Sequence, residues 1–181
     1  MKSRDANGFP DGYLLFKGGK ISQHYDHDEG SLIWYAKGAP LLCDIGGQYF
    51  PSCDPTFLHN RLSFDHKTDQ ARGKMTGFYA TSHTDFADLE TVVIELQPWS
   101  EWPVRDLSWN FRYEKPAYSV APIRWIRNVI YLKDEQALFL RDKVEGDTVS
   151  EMNFLSYTTA IHRSGDTFLL DGQFGVDMTV S

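Results

Sequence analysis

Ser31-Leu32-Ile33-Trp34-Tyr35-Ala36, then Lys37-Gly38, then Pro40-Leu41-Leu42-Cys43-Asp44: two short apolar runs lie on either side of a turn signal. Each run is too short for a stable helix, and the first is rich in β-branched and aromatic residues, so the segment reads as strand, tight turn, strand. A second hairpin is equally legible in Trp125–Leu132, Lys133-Asp134-Glu135 and Ala137–Asp142. Further strand-like runs are Tyr13–Lys17, Arg61–Phe64, Met75–Ala80, Thr91–Leu96, Glu151–Thr159 and Thr167–Leu170. Gly18-Gly19, Gly46-Gly47, Glu145-Gly146-Asp147 and Ser164-Gly165-Asp166 punctuate them as turns. No window keeps apolar residues at i, i+3, i+4 and i+7 long enough for a sizeable helix. The pattern predicts an all-β fold, a two-layer antiparallel β-sandwich with few or no helices. Residues 1–11 read as a polar tail and 12–181 as one domain.

At 181 residues the chain is long enough to bury a core of its own. Its 41% hydrophobic and 24% charged content exclude wholesale disorder. A formal charge of −7 argues against nucleic acid as a partner, because phosphate binding needs a basic face. No apolar stretch approaches the ~20 residues that span a bilayer, and the polar Met1–Gly12 stretch does not read as a signal peptide. Cys43 and Cys53 are the two cysteines and read as free thiols.

Chemistry concentrates at one end of the first hairpin. Gln23-His24-Tyr25-Asp26-His27-Asp28-Glu29-Gly30-Ser31 leads into it, Asp44 closes it and His59-Asn60 follow. In an extended segment His24, Asp26 and Asp28 share one face while His27 takes the other. Two carboxylates and an imidazole suit a divalent ion, zinc, manganese or calcium according to geometry. A His outside the metal shell, His24, is left for acid–base work near neutral pH. Taken singly, a His or Asp in a turn more often caps backbone or faces water; recurrence at successive strand ends is what favours a site. His66, His83 and His162 have no acidic partner at telling spacing and read as surface residues. Arg124, Arg127, Arg141 and Asp142 read as cross-strand ion pairs. The stretch Gln97–Pro122, with Trp99 and Trp102, reads as an irregular excursion covering the core, with stacking on sugar rings as its functional alternative.

These residues resemble the heparinase II/III-like polysaccharide lyases. The resemblance is carried by His24-x-x-x-Asp28-x-Gly30-Ser31, by Tyr35-Ala36-Lys37-Gly38-Ala39-Pro40-Leu41-Leu42-Cys43-Asp44-Ile45-Gly46, and by His59-Asn60. Trp125-Ile126-Arg127-Asn128-Val129-Ile130-Tyr131, Leu140-Arg141-Asp142 and Gly172-Gln173-Phe174-Gly175-Val176-Asp177 extend it over roughly residues 12 to 180. It implies a β-sandwich that follows an α/α-toroid, lends a His to the cleft and holds a structural metal, commonly zinc. Carried over, His24 is the catalytic His, while Asp44 and His59 are metal ligands. The family's first ligand is usually the second His of His-x-His, and here Asp26 stands in that place; a one-residue shift makes it His27.

The resemblance further implies β-elimination of a uronate-containing polysaccharide such as a glycosaminoglycan or alginate, in the periplasm or outside the cell. The toroid's catalytic Tyr and its carboxylate-neutralising Asn or Arg have no counterpart here. The chain is therefore expected to be inactive without a toroid-bearing domain or subunit. A non-catalytic carbohydrate-binding or scaffold sandwich using Trp99 and Trp102 is the alternative. A self-contained double-stranded β-helix metal enzyme fits less well, because its distal His normally lies many strands away.

Overall fold

The computed structural model describes residues 1–4, 7–8, 10–19, 27–44, 56–98 and 118–181. Thirteen strands are assigned in chain order, β1 to β13, with one 3-10 turn at Thr56–Leu58 as the sole helical element among the described residues. The first sheet has the order β1-β2-β3-β4: Lys2–Arg4, Pro10–Phe16, Leu32–Ala36 and Ala39–Leu42. The second, six-stranded, has the order β10-β5-β6-β7-β8-β9: Ser150–Met152, Leu62–Phe64, Lys67–Ala80, Thr84–Pro98, Tyr118–Leu132 and Ala137–Glu145. The third holds β11, β12 and β13: Thr158–Ser164, Thr167–Gly172 and Met178–Val180. Every recorded pairing is antiparallel.

The sheets pack face to face over a shared core, as an all-β sandwich. Leu32 and Trp34 come to it from the first sheet, Val129 and Tyr131 from the second, Leu170 and Met178 from the third. A second apolar cluster, Phe64, Val93, Leu96, Ile123 and Trp125, fills the far end of the six-stranded sheet. The inner face of β8 shows the period-2 rule plainly. Trp125, Val129 and Tyr131 are fully buried, and so is Arg127 between them.

Three expectations need correction. The predicted tail contains a strand, because Lys2–Arg4 pairs with Pro10–Phe16. Ser3 there points inward, bonding Asp11 at 2.6 Å and accepting the Tyr131 hydroxyl at 3.2 Å. A strand held by polar side chains and backbone carries no apolar alternation to read. Second, β6 and β7 are much longer than Met75–Ala80 and Thr91–Leu96, because charged residues on their outer face, such as Arg72, Lys74 and Glu90, break the apolar run. Third, Glu151–Thr159 is two strands rather than one. Between them the backbone turns to other partners: Asn153 N–H donates to Arg61 O at 3.0 Å, and Leu155 N–H to Asn60 Oδ1 at 2.6 Å.

Candidate functional site: a buried polar hub under the hairpin rim

The entry into β3 is fixed by backbone first. Lys17 N–H donates to Ser31 O and Gly30 N–H to Lys17 O, each at 3.0 Å, so the end of β2 and the turn before β3 are stitched together. Gly30 sits at φ +80°, and a Cβ placed there would lie 2.5 Å from the Trp125 ring. Both the conformation and the close approach require glycine. Lys17 and Asp28 form an ion pair across this turn. Together with Asp44, just beyond β4, they line a cavity of about 230 Å³ whose apolar wall is Leu15, Phe16 and Ile33. The hairpin thus returns Asp44 to the side of the 28–31 turn.

The 3-10 turn then delivers His59, Asn60 and Arg61, all nearly or fully buried. His59 Nδ1 lies 2.9 Å from Asp44 Oδ2. A carboxylate there holds the proton on Nδ1 and leaves Nε2 with its lone pair. That Nε2 is buried and makes no hydrogen bond among the described residues. Asn60 ties the layers together: its amide donates to Leu32 O and Cys43 O, both at 2.7 Å, and its oxygen accepts from Leu155 N–H. Arg61 is bidentate on Asp69, with Nη2 at 2.7 Å from Oδ2 and Nη1 at 3.3 Å from Oδ1, and it also donates to His27 O at 2.7 Å. Two charges removed from water in this way are tolerable only because every guanidinium edge finds an acceptor.

A matching cation lies one strand system away. Arg127 is bidentate on Asp142, at 2.8 and 2.9 Å, and reaches Gly30 O at 2.8 Å and Asn60 O at 3.2 Å. Trp125 Nε1–H shares Asp142 Oδ1 at 2.7 Å. The guanidinium carbons of Arg61 and Arg127 stand 5.1 and 4.8 Å from the Trp125 ring centroid, inside cation–π range. Glu29, fully buried, accepts Gly19 N–H at 3.1 Å through Oε2, while Oε1 has no hydrogen-bond partner among the described residues. Burial pushes its carboxyl above the ordinary range, against the pull of the Gly19 bond and Lys17. Burial likewise raises the thiol of Cys43, which is free; Cys53 lies outside the described residues.

The expected site residues are placed unevenly. Asp44 and His59 come together. His27 is buried at φ +55°, so the strand-like alternation does not run through it, and its Nδ1 donates to the carbonyl oxygen of Asp69. Among the described residues no three His, Cys, Asp or Glu side chains form a group able to hold an ion. The Asp44–His59 separation is the usual N–H···O distance, whereas neighbouring ligands of tetrahedral zinc stand about 3.3 Å apart. The pair therefore fits an imidazole ligand and the carboxylate that orients it, with Nε2 as the donor atom. Asp26 and His24 lie outside the described residues, as do Trp99 and Trp102.

Sequence reading missed the buried hub itself. Arg61 and Asp69 carry no motif, and Asn60 and Glu29 stand in the quoted stretches without a role of their own, because their partners are backbone atoms or residues distant in the chain. Arg127 did carry a signal: period 2 puts it on the same face as Trp125, Val129 and Tyr131, and an Arg on an apolar face must be paired. The surface histidines are exposed as expected, yet each has an acidic neighbour: His66 with Glu151, His83 with Asp134 and His162 with Asp171. Those partners sit on neighbouring strands or turns, which linear spacing does not reveal. Comparison with known protein families, curated proteins and solved structures returns no match to this chain.

Proposed function

We propose that this chain is the β-sandwich domain of a polysaccharide lyase of the heparinase II/III-like kind, acting on a uronate-containing polymer together with an α/α-toroid domain or subunit. The observation that carries the reading is the hub. Gly30, Ser31, Cys43, Asp44, His59, Asn60, Arg127 and Asp142 are scattered over more than a hundred residues of sequence. All belong to the segments that carry the resemblance. Gly30, Ser31, Cys43, Asn60, Arg127 and Asp142 are joined by hydrogen bonds, and the Asp44–His59 bond adjoins them along the chain at Cys43 and Asn60. A surface accident does not link such residues; a rigid platform for the rim above them does.

In this reading His24, which lies outside the described residues, is the acid–base group. Elimination removes the proton α to the uronate carboxylate and breaks the glycosidic C–O bond. A C=C bond forms, and the departing oxygen takes a proton. His24 serves one of the two proton transfers; the toroid supplies the other and neutralises the carboxylate. A divalent ion, zinc first and manganese or calcium otherwise, would be held by His59 with Asp44 behind it and Asp26 as a further donor. Such an ion stiffens the rim. The compartment in this reading is periplasmic or extracellular.

The test is direct, since elimination creates an ultraviolet-absorbing unsaturated uronate. The chain is incubated with alginate, heparan sulfate and other uronates, with divalent metal, with and without a toroid-bearing partner. Absorbance that needs the partner and disappears in His24→Ala is the expected result. Silence from every combination overturns the proposal.

A further inference from the structure

The outer face of the six-stranded sheet, on the side away from the core, carries an ordered pattern that the hub does not use. Strand register aligns Tyr79, Phe86, Ile130 and Phe139 in one row across β6, β7, β8 and β9. Tyr79 is 67%, Ile130 37% and Phe139 57% exposed. At about 4.8 Å between strands the row is about 14 Å long. The next row is polar: Asp88, Asn128 and Arg141, with Asn128 donating to Asp88. A groove of about 500 Å³ runs between the rows, lined by Phe86, Ile130, Phe139, Asn128 and Arg141.

Charge sets this face apart from the rest of the molecule. From the polar row to the row of Arg72 and Glu145 the face presents five cations, Arg72, Lys74, Arg124, Arg141 and Lys143. Three carboxylates stand among them, Asp88, Glu90 and Glu145, in a chain of net charge −7. Arg124 is paired to Glu90 and Lys143 to Glu145. Arg141, exposed at the groove, makes no ion pair or hydrogen bond among the described residues.

We infer that this groove binds a linear anionic polysaccharide. Flat sugar faces pack on the aromatic row, hydroxyls meet Asp88 and Asn128, and a uronate carboxylate meets the Arg141 fork. The groove has the volume of a small-ligand site, while its apolar strip is one side chain wide, far short of the ~800 Å² a stable protein partner covers. A second copy of the chain would set two cation-rich faces against each other. An acyl chain would need an enclosed cavity, and this groove is open along a polar row. The choice of uronate rests on the reading of the previous subsection; the groove itself does not.

The experiment is titration of the intact protein with uronate oligosaccharides and with neutral gluco-oligosaccharides, at low and high salt. Tyr79→Ala and Phe139→Ala should each weaken uronate binding about two- to tenfold while leaving the melting temperature in place. Arg141→Gln should erase both the preference for the charged ligand and the salt dependence. Phe174→Ala, an exposed aromatic in the turn between β12 and β13, should change nothing. Unaltered binding in the Tyr79→Ala/Phe139→Ala double variant overturns the inference. So does equal weakening by Phe174→Ala, binding of anionic vesicles in place of sugar, or concentration-dependent dimerisation abolished by Phe139→Ala. Binding by this chain, with no unsaturated product even when a toroid-bearing partner is added, would sink the lyase reading and leave the groove standing.

Discussion

Arg127 Nη1 donates to the carbonyl oxygen of Gly30 at 2.8 Å, joining an interior strand of one sheet to the turn that opens the hairpin of the other. The same side chain neutralises Asp142 and reaches Asn60 O. Replacing it by methionine keeps most of the volume but strands a carboxylate and two carbonyls. Arg127→Met should cost about 3–5 kcal/mol of unfolding free energy in urea titration. Arg127→Lys should recover only part of this, since an ammonium does not serve three acceptors in one plane. A loss under about 1 kcal/mol for Arg127→Met would show that the charges are solvated rather than locked.

Asn60 makes a more local wager. Its amide donates twice and accepts once, to Leu32 O, Cys43 O and Leu155 N–H, from a fully buried position. Asn60→Ala leaves three backbone groups without partners, on the order of 3 kcal/mol. Calorimetry should then show the melting temperature falling by about 6–12 °C. A variant that melts with the wild type would remove Asn60 from the hub.

The hairpins were legible because short apolar runs rich in β-branched and aromatic residues, Ser31–Ala36 and Trp125–Leu132, stop at turn signals. The meeting of Asp44 with His59 was legible for a related reason: a hairpin of known length must return its end to its start. What stayed hidden has a common physical cause. The Asn60 bridges, the Glu29–Gly19 contact and the Arg61 bonds to His27 O and Leu62 O are made to backbone atoms, which every residue possesses and no motif marks. Likewise β1 is a strand held by Ser3 and main-chain bonds, with no apolar face. The outer row of Tyr79, Phe86, Ile130 and Phe139 required register, and two bulges in the β6–β7 pairing shift it.

Glu29 makes stability depend on pH in a defined direction. Burial raises its carboxyl above the ordinary value of 4.5, so the folded state holds the proton more tightly than the unfolded chain. Its contribution is therefore fully present below pH 4.5 and is lost as pH rises through the folded-state value. Glu29→Gln stays neutral throughout. The difference in unfolding free energy, wild type minus Glu29→Gln, should be most favourable to the wild type in acid and decline steadily toward neutrality. Parallel curves would mean that Glu29 reaches solvent and titrates as it does in the unfolded chain.

Asp44 and His59 divide their labour in a way that metal titration can read. In the metal-binding reading proposed above, Nδ1 faces Asp44 and leaves Nε2 for an ion, and the carboxylate acts by fixing tautomer and tilt. Asp44→Asn still accepts the Nδ1 proton but carries no charge, so zinc affinity should fall about 10–100-fold and remain measurable. His59→Ala removes the donor and should abolish binding, as measured by calorimetric titration of zinc into the metal-stripped protein. Equal and complete loss in both variants would make Asp44 a ligand in its own right. The ring would then have to bind through Nδ1, and the 2.9 Å contact would be two neighbouring ligands of one ion rather than a hydrogen bond.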